Sequence, residues 1–269
     1  MNQRWGLEIL DFFPTWLVGI MFYFLLVFGA AIGRWWRSRI SREGGEGDAS
    51  LVMSASLGLL ALLLGFTFSL VITRHELRFS SLIEETNSIE KFWKRLVFLP
   101  EDLRPEILEK LEQYVQARVD VSKIGFSAFR AQEAKAKAAE TADSIWASLA
   151  AAEPKLERET TLHLLIASCS EMMSNSATRD SALVNRLPPA VLMLLLLFPM
   201  ASAIMIGFVY GSRPGLHTAA STELMILLTL TVLLILDLDR PRSGMVVNSQ
   251  QVLERLDERI QADMKGLAK

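Results

Sequence analysis

The segment LVMSASLGLLALLLGFTFSLVI, residues 51–72, is rich in leucine and contains no charged side chain. A run of about 20 apolar residues is long enough to cross the hydrocarbon core of a bilayer as an α-helix. Three further apolar runs occupy residues 14–33, 188–210 and 219–236, and the only charge within them is Glu223. The sequence therefore predicts an all-α protein with four transmembrane helices.

A helical region is predicted between the second and third apolar runs. Residues 73–187 show helical periodicity without the alternating pattern of strands. No glycine or proline occurs between Gly65 and Pro100, so the second span is predicted to continue as one long helix. The predicted organisation is transmembrane helices 1 and 2 with a short arginine-rich loop over 1–73, an extramembrane helical bundle or stalk over 74–187, transmembrane helices 3 and 4 over 188–238, and a short amphipathic tail over 239–269.

Composition and motifs argue against several classes of protein. The net charge of −2 gives no electrostatic reason to expect nucleic acid as a partner. Cys169 is the only cysteine, which excludes an intrachain disulfide and a zinc site made of cysteines. The three histidines are far apart, and no nucleotide-binding or metalloprotease motif occurs. We therefore predict no enzyme activity, no cofactor and no metal site.

The first apolar run is read as a membrane anchor rather than a cleaved signal peptide. It lacks a basic leader and ends in Trp35-Trp36-Arg37. Tryptophan and arginine are typical of the membrane–water interface, whereas a cleavage site needs small residues.

The second span has two patterned faces. Its small residues recur every three or four positions: Ser54, Gly58, Ala61, Gly65 and Ser69. Such a stripe lets helices approach closely, so it predicts helix packing, with a pore lining or ligand contact as the alternative. Beside it, Leu62, Phe66 and Leu70 form a bulky face. In an oligomer this face would form a hydrophobic constriction, and lipid contact or core packing is the alternative.

Polar residues lie just beyond the second span and before the third. They are Glu84, Glu85, Asn87 and Glu90 on one predicted helix and Asn175, Arg179 and Arg186 on another. Ordinary ion pairs across a helical bundle explain these residues, and an ion vestibule is the second interpretation.

The fourth span ends on a cluster of charges. Asp237 and Asp239 lie near the C-terminal end of the predicted helix, where the helix dipole disfavours a carboxylate. Arg240 or Arg242 could neutralise them locally, and Arg74 could do so from the end of the second span. We predict an interhelical polar clamp, with a metal site or simple solvation as alternatives.

The end of the fourth span also carries a family resemblance. Asp237-Leu238-Asp239-Arg240-Pro241 followed by Gly244 resembles the C-terminal signature of the bestrophin-like family of bacterial membrane proteins. Weaker agreement comes from Pro14-Thr15-Trp16-Leu17, Glu85-Thr86-Asn87, Leu99-Pro100 with Arg104, Tyr114-Val115 and Leu187-Pro188-Pro189. The resemblance covers nearly the whole chain. It implies a four-span protein of the bacterial plasma membrane, related to the bestrophins, which are pentameric anion channels.

The resemblance to bestrophins fails in two respects. The acidic run after the last span is shorter here, and the charges of the first loop predict the opposite orientation in the membrane. Bestrophins hold calcium with a longer acidic run, which is reduced here to Asp237 and Asp239. The loop over 34–50 carries Arg34, Arg37, Arg39 and Arg42, which predicts a cytoplasmic loop and an extracytoplasmic stalk. Bestrophins keep their large domain in the cytoplasm, so the resemblance implies the opposite orientation.

Two functions follow from these features. The first is an oligomeric ion channel, anion-conducting by resemblance, with transmembrane helix 2 around the pore. The alternative is a non-conducting structural or sensory scaffold whose stalk binds a partner protein. The expected partners are the lipid bilayer, further copies of the chain and small inorganic ions.

Overall fold

The computed structural model describes residues 14–39, 46–123, 128–152, 159–210, 216–240 and 251–267. The helices are α1 (Thr15–Arg39), α2 (Glu46–Arg95), a 3-10 turn (Leu96–Phe98), α3 (Arg104–Lys123), α4 (Ala128–Ala152), α5 (Glu159–Val184), α6 (Pro189–Tyr210), α7 (Leu216–Asp239) and α8 (Gln251–Leu267). No strand occurs in these ranges, so the prediction of an all-α fold is confirmed. Arg42, Pro241, Arg242 and Gly244 lie outside the described residues.

Within the described ranges, four helical segments are long and apolar enough to cross a membrane. They are Thr15–Arg39, Ala49–Phe98, Thr160–Tyr210 and Ala219–Asp239. The number of predicted spans is therefore confirmed. Each span is helical because a backbone N–H or C=O group left unpaired in hydrocarbon costs several kcal/mol, and a helix pairs these groups within the segment.

Helix α2 continues unbroken for 50 residues, as its lack of proline predicts. The chain then turns at Leu99-Pro100, where the backbone N–H groups of Leu103 and Arg104 donate to the carbonyl of Pro100 at 3.1 and 3.2 Å. Helix α3 begins at Arg104 and not directly after Pro100. Pro105 explains this starting point, because proline lacks an N–H donor and suits the first turn of a helix.

By its contacts the chain divides into two compact units. The first unit contains residues 1–75 and 186–246, and the second contains residues 76–185 and 247–269. Helix α2 contributes residues to both. The predicted domain boundaries are not tested by this division and stay a prediction.

The first unit is built on close contact between α1 and α6. Leu26 and Leu195 are fully buried in its apolar core. A Cβ atom placed on Gly33 would overlap the carbonyl oxygen of Ile204, and one placed on Gly207 would overlap the carbonyl oxygen of Ala30. Only glycine lets two helix backbones meet at this distance.

The second unit has its own core, formed by side chains of α2, α3, α4, α5 and α8. Leu253, Leu256 and Ile260 of α8 are buried in it, whereas Val252 is exposed. The indole Nε1 of Trp93 on α2 donates to the Asp263 carboxylate on α8 at 3.1 Å. The amphipathic face at the C-terminus therefore packs on the helices of the second unit.

Candidate functional site

The face of α2 that was predicted to form a constriction points away from the rest of its own chain. Leu62, Phe66 and Leu70 are 59%, 74% and 39% exposed. Large apolar side chains exposed in a membrane span contact either lipid or another protein chain. The structure therefore excludes core packing for these three residues within the described chain.

The small-residue stripe of α2 is exposed as well. Its members are Ser54, Gly58, Ala61, Gly65 and Ser69. A Cβ atom added at Gly58 or Gly65 would have no described atom within 4 Å. The stripe thus brings no two helices of the described chain together, and the close packing inside the chain occurs at Gly33 and Gly207 instead.

Helix α2 is attached to the first unit by its opposite face. Met53, Leu60, Leu64 and Val71 are buried there and belong to the apolar core of that unit. These positions are seven, four and seven residues apart, so they lie on one side of a helix. One side of the span packs against its own chain, and the other side contacts either lipid or another protein chain.

A buried ion cluster lies in the second unit, and we call it the Glu85 triad. Glu85 on α2 is fully buried and accepts a hydrogen bond from Nε of Arg118 on α3 at 2.5 Å. Its second carboxylate oxygen accepts from Nη1 of Arg179 on α5. Arg118 also donates from Nη1 to Asp180 at 3.2 Å. One carboxylate thus joins three helices through two guanidinium groups.

The electrostatic environment favours the charged form of Arg118. Burial lowers the pKa of Arg118, but the negative charges of Glu85 and Asp180 outweigh burial, and the net pKa shift is upward. Burial raises the pKa of Tyr114, which lies nearby on α3, to about 12, and the charge of Glu85 acts in the same direction. At neutral pH the tyrosine is therefore uncharged and Arg118 is cationic.

The other residues of the predicted vestibule are not gathered at the triad. Glu84 and Asn87 are exposed, and Arg186 is half-buried. The Asn175 side chain donates to the backbone carbonyl of Glu84 at 3.3 Å. Of the seven residues predicted for the vestibule, Glu85 and Arg179 form a buried ion pair.

Sequence reasoning missed Arg118 as the third member of the triad. The signal was present, because Arg118 lies at helical spacing on the apolar face of α3 with the buried residues Tyr114 and Val115. A charged side chain on a buried face needs a buried partner of opposite charge. The sequence alone does not show which carboxylate is the partner of Arg118.

The charges at the end of α7 connect to other helices, within the first unit. The Asp239 carboxylate accepts a hydrogen bond from the backbone N–H of Leu187, just before α6, at 3.0 Å. The Arg240 guanidinium donates to the hydroxyl of Thr15, the first residue of α1, at 3.1 Å. Asp237, which precedes Asp239 and Arg240 in the sequence, is fully buried. Helices α1, α6 and α7 are joined here at one end.

Arg74, the clamp residue predicted at the end of the second span, has a buried donor atom that lacks a hydrogen-bond partner. This atom is Nη1, and no described residue accepts a hydrogen bond from it. No group of three or more histidine, cysteine, aspartate or glutamate side chains with metal-binding geometry occurs in the described ranges. The partners of Asp239 and Arg240 include a backbone amide and a hydroxyl, which sequence patterns do not single out.

Comparison with known proteins places the chain in a family. The model of the bestrophin-like domain matches residues 19–251. No match is found among curated proteins. Crystal structures of point variants of a bacterial bestrophin homologue from Klebsiella pneumoniae share the fold. One has 14% identity and a TM-score of 0.64, covering 92% of this chain and 98% of the other. Another has 15% identity and a TM-score of 0.63, with 94% and 97% coverage.

These matches agree with the helical fold of the described residues. At this level of identity the solved structures support the fold alone. The family model extends from α1 to the start of α8. This membrane protein therefore belongs to the bestrophin-like family.

Proposed function

We propose that the protein is a homo-oligomeric ion channel in which α2 surrounds the pore and Leu62, Phe66 and Leu70 form a hydrophobic constriction. The exposure of this bulky face is the observation that carries the proposal. The candidate spans differ in how much of their most apolar stretch is buried within the chain. In the span that contains α2, 22% of these residues are buried, against 33% to 39% in the other three spans. Helix α2 thus has the most surface available for neighbouring copies.

The two exposed faces of α2 suit a ring of helices. At 3.6 residues per turn, positions four apart, such as Gly58 and Leu62, are separated by about 40° around the helix. In a ring, each helix contacts its neighbours along its flanks and presents a different line of side chains to the axis. Small residues on a flank allow close contact, and bulky residues at the axis narrow the pore.

The ion class and orientation belong to the proposal as well. Family membership favours anions, because bestrophins are anion channels. The plasma membrane is the proposed location. The arginines Arg34, Arg37 and Arg39 at the end of α1 favour a cytoplasmic position for the loop that follows. The stalk would then be extracytoplasmic.

Phe66→Ala is expected to raise ion flux through the reconstituted protein by about tenfold. The shorter side chain widens the constriction and makes wetting easier, and a tenfold gain corresponds to a barrier lower by about 1.4 kcal/mol. Flux is measured with anion-sensitive and cation-sensitive dyes in vesicles. Leu25→Ala is the matched control, since Leu25 is 43% exposed on α1 and is not assigned to the pore.

The same assay separates the channel from the scaffold. A scaffold gives background flux from both variants across several anions and cations. If folded, inserted Phe66→Ala conducts no more than empty vesicles, the channel proposal is abandoned and the scaffold is preferred. A gain in Leu25→Ala equal to that in Phe66→Ala would mean general leakage and would also count against the constriction.

Gly65→Leu is expected to weaken assembly by about tenfold or more while each protomer stays folded. No described atom lies within 4 Å of a Cβ placed on Gly65, so a leucine there is expected to obstruct a neighbouring copy rather than the described part of its own chain. Leu64→Ala is the matched control: Leu64 is 8% exposed, and its loss leaves a cavity inside the protomer. Particle mass in detergent and the thermal midpoint separate the two effects. Unchanged particle mass for Gly65→Leu would remove the packing role of the stripe.

A further inference from the structure

A lone carboxylate lies within the apolar part of the fourth span. Glu223 is the only charged residue of the run over 219–236, and it is exposed on α7. Ile226, Leu227 and Leu230 follow it at helical spacing and are 45%, 54% and 54% exposed, so Glu223 lies on the outward apolar face of α7. A charged side chain that faces lipid within the hydrocarbon is unfavourable, and such residues pair with a group of opposite charge.

An arginine on α1 also has no partner within the described part of the chain. Arg34 directly follows the apolar run over 14–33 and is exposed. Neither Arg34 nor Glu223 forms a hydrogen bond or an ion pair with another described residue. Arg37, in contrast, lies over the ring of Phe208. Arg34 is therefore a cation that is available to a partner outside its own chain.

The packing of α1 against α7 places these two charges at similar depths in the membrane. The helices run antiparallel, because α7 ends beside the start of α1. Further along the pair, a Cβ atom placed on Gly19 would lie 3.1 Å from Cδ1 of Leu233. From this contact Glu223 lies about 15 Å and Arg34 about 22 Å towards the other end of the pair, at 1.5 Å per residue. The apolar stem of an arginine can lie along an apolar helix surface over such a difference of about 7 Å.

We propose that Glu223 of each copy forms an ion pair with Arg34 of the neighbouring copy, which makes the outward face of α7 an interface between copies. This contact rests on the proposed homo-oligomer. Copies in a closed ring are related by rotation about one axis, and rotation about the membrane normal leaves depth unchanged. The similar depth of the two charges within one chain therefore holds between neighbouring chains. Their opposite charges then form a charge-assisted hydrogen bond.

The first test measures assembly of the full-length protein in vesicles by energy transfer between donor-labelled and acceptor-labelled copies. Glu223→Gln and Arg34→Gln are each expected to weaken assembly about threefold per interface, which is typical of one polar contact between membrane helices. The double variant should be no weaker than either single variant, because all three lose the same pair. Independent losses that add in the double variant would overturn the pairing.

Cross-linking locates the contact directly. Cys169 is the only native cysteine and is buried, so single cysteines can be added without replacing it. R34C and E223C, each with a different affinity tag, are expressed together and treated with a short bismaleimide in the membrane. We expect a covalent dimer that carries both tags, and none from the parent protein. An intact oligomer that yields no mixed dimer overturns the contact.

Arg39 supplies the matched control. It lies five residues beyond Arg34 on the same helix, about 7 Å further from the level of Glu223, and over the ring of Trp35. R39Q removes the same charge and is expected to leave assembly unchanged. An equal loss in R39Q and R34Q would show a general effect of charge at the end of α1 and overturn the specific pair.

The outcomes separate this contact from the proposed channel. If the parent protein has the particle mass of a monomer, the oligomer and the contact both fail. If the oligomer forms, the glutamine variants assemble like the parent and no mixed dimer appears, only the contact is overturned, and Glu223 faces lipid. If copies assemble through this contact without ion flux, only the channel fails.

Discussion

Replacing Glu85 with glutamine lowers the midpoint of thermal unfolding by about 10 °C, the shift that about 3 kcal/mol gives in a chain of this size. Glu85 is the one carboxylate that contacts both Arg118 and Arg179 in the described structure. Glutamine is similar in shape but uncharged, so both buried guanidinium groups lose the negative charge between them. Removing one partner of a buried ion pair costs about 3–5 kcal/mol.

The neighbouring residue supplies the control for Glu85→Gln. Glu84 is exposed, and Glu84→Gln makes the same chemical change one position away, where about 0.5 kcal/mol or less is expected. Circular dichroism at 222 nm against temperature measures both variants in one detergent. Equal midpoints for the two variants would show that the triad contributes little to stability.

A triple variant tests the cause of the loss. Replacing Glu85, Arg118 and Arg179 together by methionine removes every charge of the triad, while Asp180, which loses Arg118, keeps Lys135 as an ion-pair partner at 3.3 Å. Apolar residues of similar volume often replace a buried ion cluster at little cost. We therefore expect E85M/R118M/R179M to unfold at a higher temperature than E85Q. A still lower midpoint would mean that hydrogen bonds of the triad, rather than its charge balance, stabilise the unit.

Gly207→Leu abolishes the folded first unit, which is the second large effect that the structure predicts. A Cβ at Gly207 would overlap the backbone of Ala30, and backbone atoms of a helix cannot move aside as a flexible side chain can. Helices α1 and α6 must separate, and their remaining contacts are lost. Overpacking alone costs about 1–3 kcal/mol, and we expect the loss here to exceed that range.

Gly65→Leu is the comparison for Gly207→Leu, because the same substitution is made where no described atom lies within 4 Å. Gly207→Leu should give little monodisperse protein in size-exclusion chromatography, whereas Gly65→Leu should give folded protein of lower mass. Normal yield, mass and melting behaviour for Gly207→Leu would contradict the backbone contact between α1 and α6.

Several features could be predicted because they depend on residues close in sequence. The spans follow from apolar runs of sufficient length. The unbroken α2 follows from the absence of proline and glycine over its second half, and its bulky face follows from Leu62, Phe66 and Leu70 at helical spacing. The family was recognised from a short motif that begins at Asp237. None of these inferences requires knowledge of which helix lies beside which.

The partners of the buried polar groups could not be predicted in the same way. Arg179 and Glu85 are 94 residues apart in sequence, and Arg240 and Thr15 are 225 residues apart. Charge alone made Arg74 as reasonable a partner for the aspartates as any other arginine. Hydrogen bonds reach only about 3 Å, so the choice among candidates depends on how the helices pack.

By itself, the sequence determined that this protein is a helical, four-span member of its family with a long second helix, since hydropathy and helical periodicity are local properties. Tertiary structure alone decided which small residues join helices within the chain. The regular stripe of α2 suggested close packing, yet within the described chain Gly33 and Gly207 make it, each against the backbone of the opposite helix. Small residues recur at helical spacing in α1, α2 and α6 alike, so spacing alone does not show which of them lie against another helix. Tertiary structure also decided that Glu85 holds Arg118 and Arg179, since a buried carboxylate stabilises only the cations that packing brings within hydrogen-bond distance.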